Sequence, residues 1–324
     1  MAILKKELLQ EIDESKKKID TSRVPSFLNE MFAHLREQTI QNSALQDGDN
    51  AEKKEEVLKN YREAWGYGDK NCPGKLDLIY LTEIAGRVEP ELREPLQKYA
   101  GLRKEIRQFR GGYVPPVDEE RIRTHLERLF KAEKEMNLHP VERAIFDYFH
   151  LIRIQPFFNG NKRTAGIVMN NLLKTKGYLP ISIPNKQVPE FESYLMGAIE
   201  GFRDVGSNAE EKLTPYIKPD FGQMQFYSFL GRKELSALRG AQNRLAGLQT
   251  YNIELKEDSP GAGYALKHQI TQYFRAKDLP SHVRVEKRGK TIQVIGEIPM
   301  RTLEQMIGRT RGIKNYEINV AETS

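Results

Sequence analysis

Apolar positions recur with a helical period over most of the first 205 residues. Leu4, Leu8, Leu9 and Ile12 lie at helical spacing, in a stretch without glycine as far as residue 45. After Pro25 the pattern resumes with Phe27, Met31, Leu35 and Ile40, and Asp47-Gly48-Asp49-Asn50 breaks it. Glu52 to Trp65 reads as helix. Gly66 to Gly74, with three glycines, Asn71 and Pro73, reads as a loop. Leu76 to Ile84 is a short apolar helix ending at Gly86, with Pro90 beyond it. The segment Arg107–Pro116, RQFRGGYVPP, has two glycines, two prolines and two aromatics, which disfavour helix and predict a hairpin or extended flap. Asp118 opens a helix to about Glu133. After Pro140, Val141, Ile145, Phe149 and Ile152 share one helical face. Helices over about Lys162–Lys176, stopped by Gly177, and Val188–Arg203 follow.

The tail has a different pattern. Tyr251–Leu255, His282–Val285, Thr291–Glu297 and Tyr316–Ala321 read as strands, and Tyr264–Arg275 and Met300–Ile307 as helices. The order β-α-β-β-α-β predicts a small α+β sandwich of the split-βαβ kind. The expected division is N-terminal helices to residue 60, a helical core over 61–218, a helical connector over 219–250, and the small α+β domain over 251–324.

Composition narrows the class. The chain has 324 residues, 39% hydrophobic and 30% charged, which suits a globular protein with a full core. No apolar run approaches the roughly 20 residues that span a bilayer. The first twenty residues are charged throughout, which does not read as a signal peptide, so the cytoplasm is the expected compartment. Cys72 is the only cysteine, which excludes an intrachain disulfide framework and any multi-thiolate zinc site. The net charge of +6 resides wholly in residues 231–324, leaving the first 230 residues neutral. Arg284, Lys287, Arg288 and Lys290 cluster at a turn, and Arg301, Arg309, Arg311 and Lys314 surround the last helix. Few aromatics are interleaved, so weak, salt-sensitive nucleic-acid contact is the most this tail promises. Dimerisation through the same domain is the competing use, and an ordinary solvated surface the blander one.

The chemistry concentrates between two helices, in Gln155–Arg163, reading QPFFNGNKR. Gly160 lets backbone approach a ligand, and Asn161 suits the N-cap of the helix that follows. Free N–H groups at a helix start attract anions. Lys162 and Arg163 put two cations in the first turn, where they oppose the dipole. Helix stability does not explain them, and a bound phosphate would. A plain interhelix loop with chance cations is the alternative.

These residues resemble the loop of the Fic family, H-P-F-x-(D/E)-G-N-(G/K)-R, at Pro156, Phe157, Gly160, Asn161, Lys162 and Arg163. Phe149–Ile154 resembles the helix leading into that loop, and Arg110–Pro116 the family's target-binding flap, centred on Gly112, Tyr113 and Val114. Ser43-Ala44-Leu45-Gln46-Asp47-Gly48 resembles its inhibitory-helix motif, through Ser43, Asp47 and Gly48. The resemblance covers roughly residues 25–205. It implies a mainly α fold, a Fic helical core with a β-hairpin flap, and transfer of AMP from ATP to a hydroxyl of a target protein with Mg²⁺. In the family the His is the general base, the loop acid holds the metal, and the Gly-Asn backbone and Arg hold phosphate.

The chain departs from this pattern at three positions. Gln155 stands where the family has its catalytic His, and an amide cannot take a proton near pH 7. Asn159 replaces the metal-binding acid, so the Mg²⁺ site should be weakened. Gly166 stands where AMP-transferring members carry a second Arg, a feature shared with the Doc branch, whose members act as kinases. Asp47 then lacks that Arg as a partner, so its motif is expected to be vestigial. His150 is five residues from Gln155 and does not share its face, which favours a structural role. The other histidines show no ligand spacing, so no metal site is assigned to them. The reading is a Fic-fold nucleotidyl transferase acting on protein hydroxyls, with activity impaired by Gln155. A non-catalytic nucleotide-binding regulator and a Doc-like kinase or toxin component are the alternatives.

Overall fold

A computed structural model describes residues 3–20, 27–47, 51–73, 76–94, 100–105, 113, 115–116, 118–200, 219–246, 248–258, 261–277, 281–286 and 290–321. The fold is mainly helical with one small antiparallel sheet. The chain divides into two compact units. The first comprises Met1–Glu14 and Leu35–Ala237, and the second Ser15–His34 and Leu238–Ser324. No described helix is long and apolar enough to cross a membrane.

In order, the helices among the described residues up to 246 are α1 (Lys6–Asp20), α2 (Phe27–Asp47), α3 (Ala51–Asn71), α4 (Leu78–Val88), α5 (Glu119–Glu135), α6 (Pro140–Ile154), α7 (Asn161–Thr175), α8 (Val188–Glu200) and α9 (Phe221–Ala246). Short 3-10 turns lie at Pro90–Leu92 and Asn185–Gln187. Within the first unit, α6 is the central helix and packs against α5 and α7. The sequence marks one apolar face on it, yet every residue from Val141 to Ile154 except Arg143 is buried. A helix covered on all sides must bury its polar residues as well, and Glu142, Asp147, His150 and Arg153 are all interior.

The start of α6 is held by reciprocal caps. His139 Nδ1 accepts from the Val141 N–H at 3.3 Å, and Glu142 accepts from the His139 N–H at 3.0 Å. The other Glu142 oxygen accepts from the N–H groups of Ile3 and Leu4 at 2.6 and 2.8 Å. At the far end of α7, the Gly177 and Tyr178 N–H groups donate to Lys174 and Leu173 carbonyls, and Gly177 has φ 74°. That is the Schellman termination expected of a glycine at this position.

One expected loop is helix instead. α3 runs through Gly66 and Gly68 to Asn71. A side chain at residue 68 would collide with Asn171 of α7 and press on Tyr80 and Ile84 of α4. Gly68 is therefore a close-approach residue in a packed helix, where the sequence alone suggests a chain break. The flap expected at Arg107–Pro116 lies largely outside the described residues, as do 201–218.

The second unit realises the β-α-β-β-α-β order with β1 (Gln249–Asp258), α10 (Ala262–Lys277), β2 (Ser281–Glu286), β3 (Thr291–Gly296), α11 (Met300–Arg309) and β4 (Ile313–Ala321). The sheet order is β2-β3-β1-β4, antiparallel throughout, as the split-βαβ reading requires. Tyr251, Ile253 and Leu255 of β1 alternate inward onto Leu266, Ile270 and Phe274 of α10 and Leu303 and Ile307 of α11. Of the basic residues singled out in this tail, Arg284, Lys290, Arg301, Arg309, Arg311 and Lys314 are exposed, and Lys287 and Arg288 lie outside the described residues.

Ile253 sits at the centre of this core on a strand paired on both sides. Ile253→Ala should lower the stability of the second unit by about 2–5 kcal/mol. Hydrogen exchange of the β1 and β3 amides measures this, and a loss under about 1 kcal/mol would contradict the described packing.

Candidate functional site

Helix α6 ends at Gln155, which adopts φ 46° and ψ 63°. It is the one non-glycine residue with positive φ among the described residues, a conformation that costs about 1 kcal/mol for a residue with a Cβ. Its N–H still donates to Leu151 O at 3.0 Å, while its carbonyl turns away and accepts from Arg103 Nε at 2.6 Å. Pro156 cannot continue the helix, and its carbonyl accepts from the Arg103 N–H at 2.9 Å. Arg103 also donates from Nη1 to Glu105 O at 2.7 Å and from Nη2 to Pro116 O, with Ile154 O at 3.4 Å. It is 3% exposed. One buried guanidinium thus holds the exit of α6, the loop start and the end of the flap segment together. Nothing in the sequence marks Arg103 among 51 basic residues, because its partners are backbone carbonyls distant along the chain.

The loop then splits its two phenylalanines. Phe157 is fully buried and Phe158 is 46% exposed. Asn161 was expected to cap α7, but Gly160 occupies the N-cap position at φ 72°. Asn161 is the first helical residue, and its side chain turns back to clamp Phe157. Oδ1 accepts from the Phe157 N–H at 2.9 Å, and Nδ2 donates to the Phe157 carbonyl at 2.7 Å. The amide therefore closes the loop on itself and leaves the helix-start N–H groups of residues 161–163 without intrahelical acceptors. Asn159 is exposed beside them and Gln155 is half-buried.

The two cations of the first turn diverge. Lys162 Nζ reaches Glu192 of α8 at 3.2 Å near the surface. Arg163 points inward and forms an ion pair with Glu89 at the end of α4, both side chains being 9% exposed. Each of these cations has a carboxylate partner in the structure, so a bound phosphate is not required to account for them. Glu89 escapes sequence reading because it lies 74 residues from Arg163. Its Cγ would stand 2.7 Å from a Cβ placed on Gly160, so it lies directly on the loop. Burial pushes its carboxyl up to about 7; Glu91 adds to the rise and Arg163 opposes it.

Tyr113 of the flap is 1% exposed, and its hydroxyl accepts from Arg153 Nη1 at 3.0 Å. Its flap neighbours Gly112 and Val114 lie outside the described residues. His150 is fully buried between Phe146 and Phe149, with ring centroids 4.4 and 5.0 Å away. Its Nδ1 accepts from Arg153 Nε at 3.4 Å. Burial and the Arg153 charge hold it well below the ordinary histidine range, so it stays neutral in the interior. In the inhibitory-motif segment, Ser43 and Asp47 belong to the last turns of α2. Their side chains, and Gly48, lie outside the described residues.

For Mg²⁺ the loop supplies the Asn159 amide and no carboxylate of its own, and Glu89 is engaged with Arg163. No cluster of three or more metal-ligating side chains occurs among the described residues. Mg²⁺ sites ordinarily use one or two carboxylates together with substrate phosphates. The protein donors present do not fit a protein-held Mg²⁺.

Residues 76–173 match the model of the Fic/DOC family. Over 216 residues the chain is 29% identical to the protein adenylyltransferase Fic of Drosophila yakuba, covering 64% of this chain and 42% of that protein. It is 34% identical over 114 residues to the Drosophila ananassae protein of the same name, covering 33% and 23% respectively. The chain thus spans under half the length of these curated relatives. Among solved structures, a Fic domain containing signaling protein from Bacteroides thetaiotaomicron superposes with a TM-score of 0.56 at 18% identity, over 73% of this chain and 98% of that one. Fic-1 from C. elegans superposes with a TM-score of 0.52 at 14% identity, over 73% and 71%. The structural likenesses carry the fold.

Arg103→Ala should destabilise the first unit by about 3 kcal/mol, because buried carbonyls lose a charged donor. Arg103→Lys should recover only part of this, since an ammonium lacks the guanidinium fork. Urea denaturation midpoints test the order; equal midpoints for the lysine variant and the wild type would refute the role of the fork.

Proposed function

The chain is a Fic family protein whose family segment is residues 76–173, and from that premise we propose that its loop binds the phosphates of ATP in a site built for AMP transfer to protein hydroxyls. The observation that carries the reading is the α7 start. Gly160 in the left-handed region and the Asn161 clamp leave the α7-start N–H groups without intrahelical acceptors, and Arg163 adds a guanidinium in the same turn, paired in the structure with Glu89. The names of the curated relatives support the reaction class.

The transfer joins the target hydroxyl oxygen to the α-phosphorus and breaks the bond to pyrophosphate. The hydroxyl proton must leave during that step. The Gln155 amide can accept a hydrogen bond from the hydroxyl but has no lone pair basic enough to remove the proton. Its backbone, pinned by Arg103, keeps position 155 at the loop entrance. The chain as written is therefore a slow or inactive transferase with its phosphate-binding half intact. Gly166 favours a second reading. The first arginine is the only one within this turn of α7, as in the Doc branch, and a Cβ at 166 would meet only the Tyr61 hydroxyl, at 3.5 Å.

Gln155→His should raise the rate of AMP transfer from α-labelled ATP to a target protein at least about 100-fold over wild type, the usual contribution of a positioned base. Equal rates in the two proteins would refute the proposal. Transfer of γ label in its place would assign the site to the kinase reading.

A further inference from the structure

The phosphate loop of this protein already holds an anion of its own. Glu89 leaves α4 as the helix ends and enters the 3-10 turn Pro90–Leu92. Its carboxylate pairs with Arg163, and its Cγ lies against Gly160, whose lack of a side chain makes the approach possible. Both features otherwise serve a ligand phosphate, since Gly160 opens the backbone and Arg163 supplies the charge. The pair is buried, so its interaction is weakly screened. Arg163 also sits at a helix start, where the dipole disfavours a cation and favours a neighbouring anion. Either Glu89 or a phosphate satisfies that requirement. Both together would place two anionic groups beside one guanidinium.

We propose that Glu89 is the internal competitor of the nucleotide, occupying the Arg163 end of the phosphate loop so that ATP binds only when its carboxylate is neutralised in place. The inference rests on the phosphate-site reading above. It makes Glu89 a residue that sets affinity, with no part in the chemical step. The described groups that act on Glu89 are Glu91 from the same 3-10 turn and Arg163 from α7, while Val88 of α4 adds an apolar wall. With the carboxyl pushed up to about 7, the competing charge is present above that pH and disappears below it. An incoming phosphate raises the carboxyl further, so binding at pH 8 must draw a proton onto the protein.

The test is calorimetric titration of the full chain with ATP, in chelator, for wild type, Glu89→Gln and Arg163→Ala. Glutamine keeps the acceptor oxygen for Arg163 and removes only the charge. Glu89→Gln should bind ATP about ten-fold more tightly than wild type at pH 8, about 1.4 kcal/mol. That ratio should shrink towards one at pH 6; protonation of ATP itself is common to both proteins and cancels. If Glu89→Gln binds no better than wild type while Arg163→Ala loses binding, the competitor role is overturned and the phosphate site stands. If no protein binds, or Arg163→Ala binds like wild type, both readings fall. If Glu89→Gln does not fold, the wild type alone decides: binding heats at pH 8 in buffers of different ionisation enthalpy must show proton uptake, and their coincidence would overturn the inference.

Discussion

The Arg103 guanidinium is the contact on which the rest of the site depends. Helix α6 is buried almost all round, so it cannot be steered by a solvent face, and its exit has to be fixed at its last carbonyls. A helix end leaves those carbonyls without partners, and in the interior each unsatisfied group costs about 1–3 kcal/mol. Arg103 meets Ile154, Gln155 and Pro156 together and ties them to Pro116. The left-handed turn at Gln155 is tolerated because the carbonyl it redirects accepts at once from Arg103 Nε. From there the loop geometry follows, with Pro156 leaving the helix, Phe157 buried as an anchor and Asn161 closing the ring around it.

Charge placement around α7 shows a second layer of the same logic. A helix start rejects cations, yet two stand there. Lys162 is carried outward to Glu192 and Arg163 inward to Glu89. The surface pair is worth little in water. The buried pair is different, because removing either partner leaves an uncompensated charge in a poorly solvated place. This makes the inner pair sensitive to anything that brings charge to the loop, while the outer pair is largely indifferent to it.

Much of this was legible in the sequence. The helical periods over α5 and α6, the helix start at Asp118, the Gly177 stop and the whole β-α-β-β-α-β order are local patterns, and local patterns survive folding. The loop was readable because its residue types are unusual together. What escaped was set by distant contacts. Gly66 and Gly68 look like a break and lie within α3, because only the approach of Asn171 and Tyr80 explains the second glycine. Asn161 has the right chemistry for an N-cap and sits one residue later, since Gly160 alone tolerates the cap conformation required here. Arg103 and Glu89 carry no motif at all.

The two compact units are interleaved in sequence. Residues 15–34 belong with 238–324, and the first unit occupies the stretch between. Gln242 donates to the Ser15 carbonyl at 2.8 Å, and Arg244 reaches His34 at 3.3 Å, over more than 200 residues of chain. Loop closure over that distance grows only slowly with length as a thermodynamic cost, but it dictates order in time. During synthesis, residues 15–34 leave the ribosome long before their partners exist, so the second unit can only be completed last. A cut made at the apparent domain boundary near residue 237 would likewise strand that N-terminal segment. The unit that looks most separable along the sequence is therefore one that no single contiguous fragment after residue 237 contains in full.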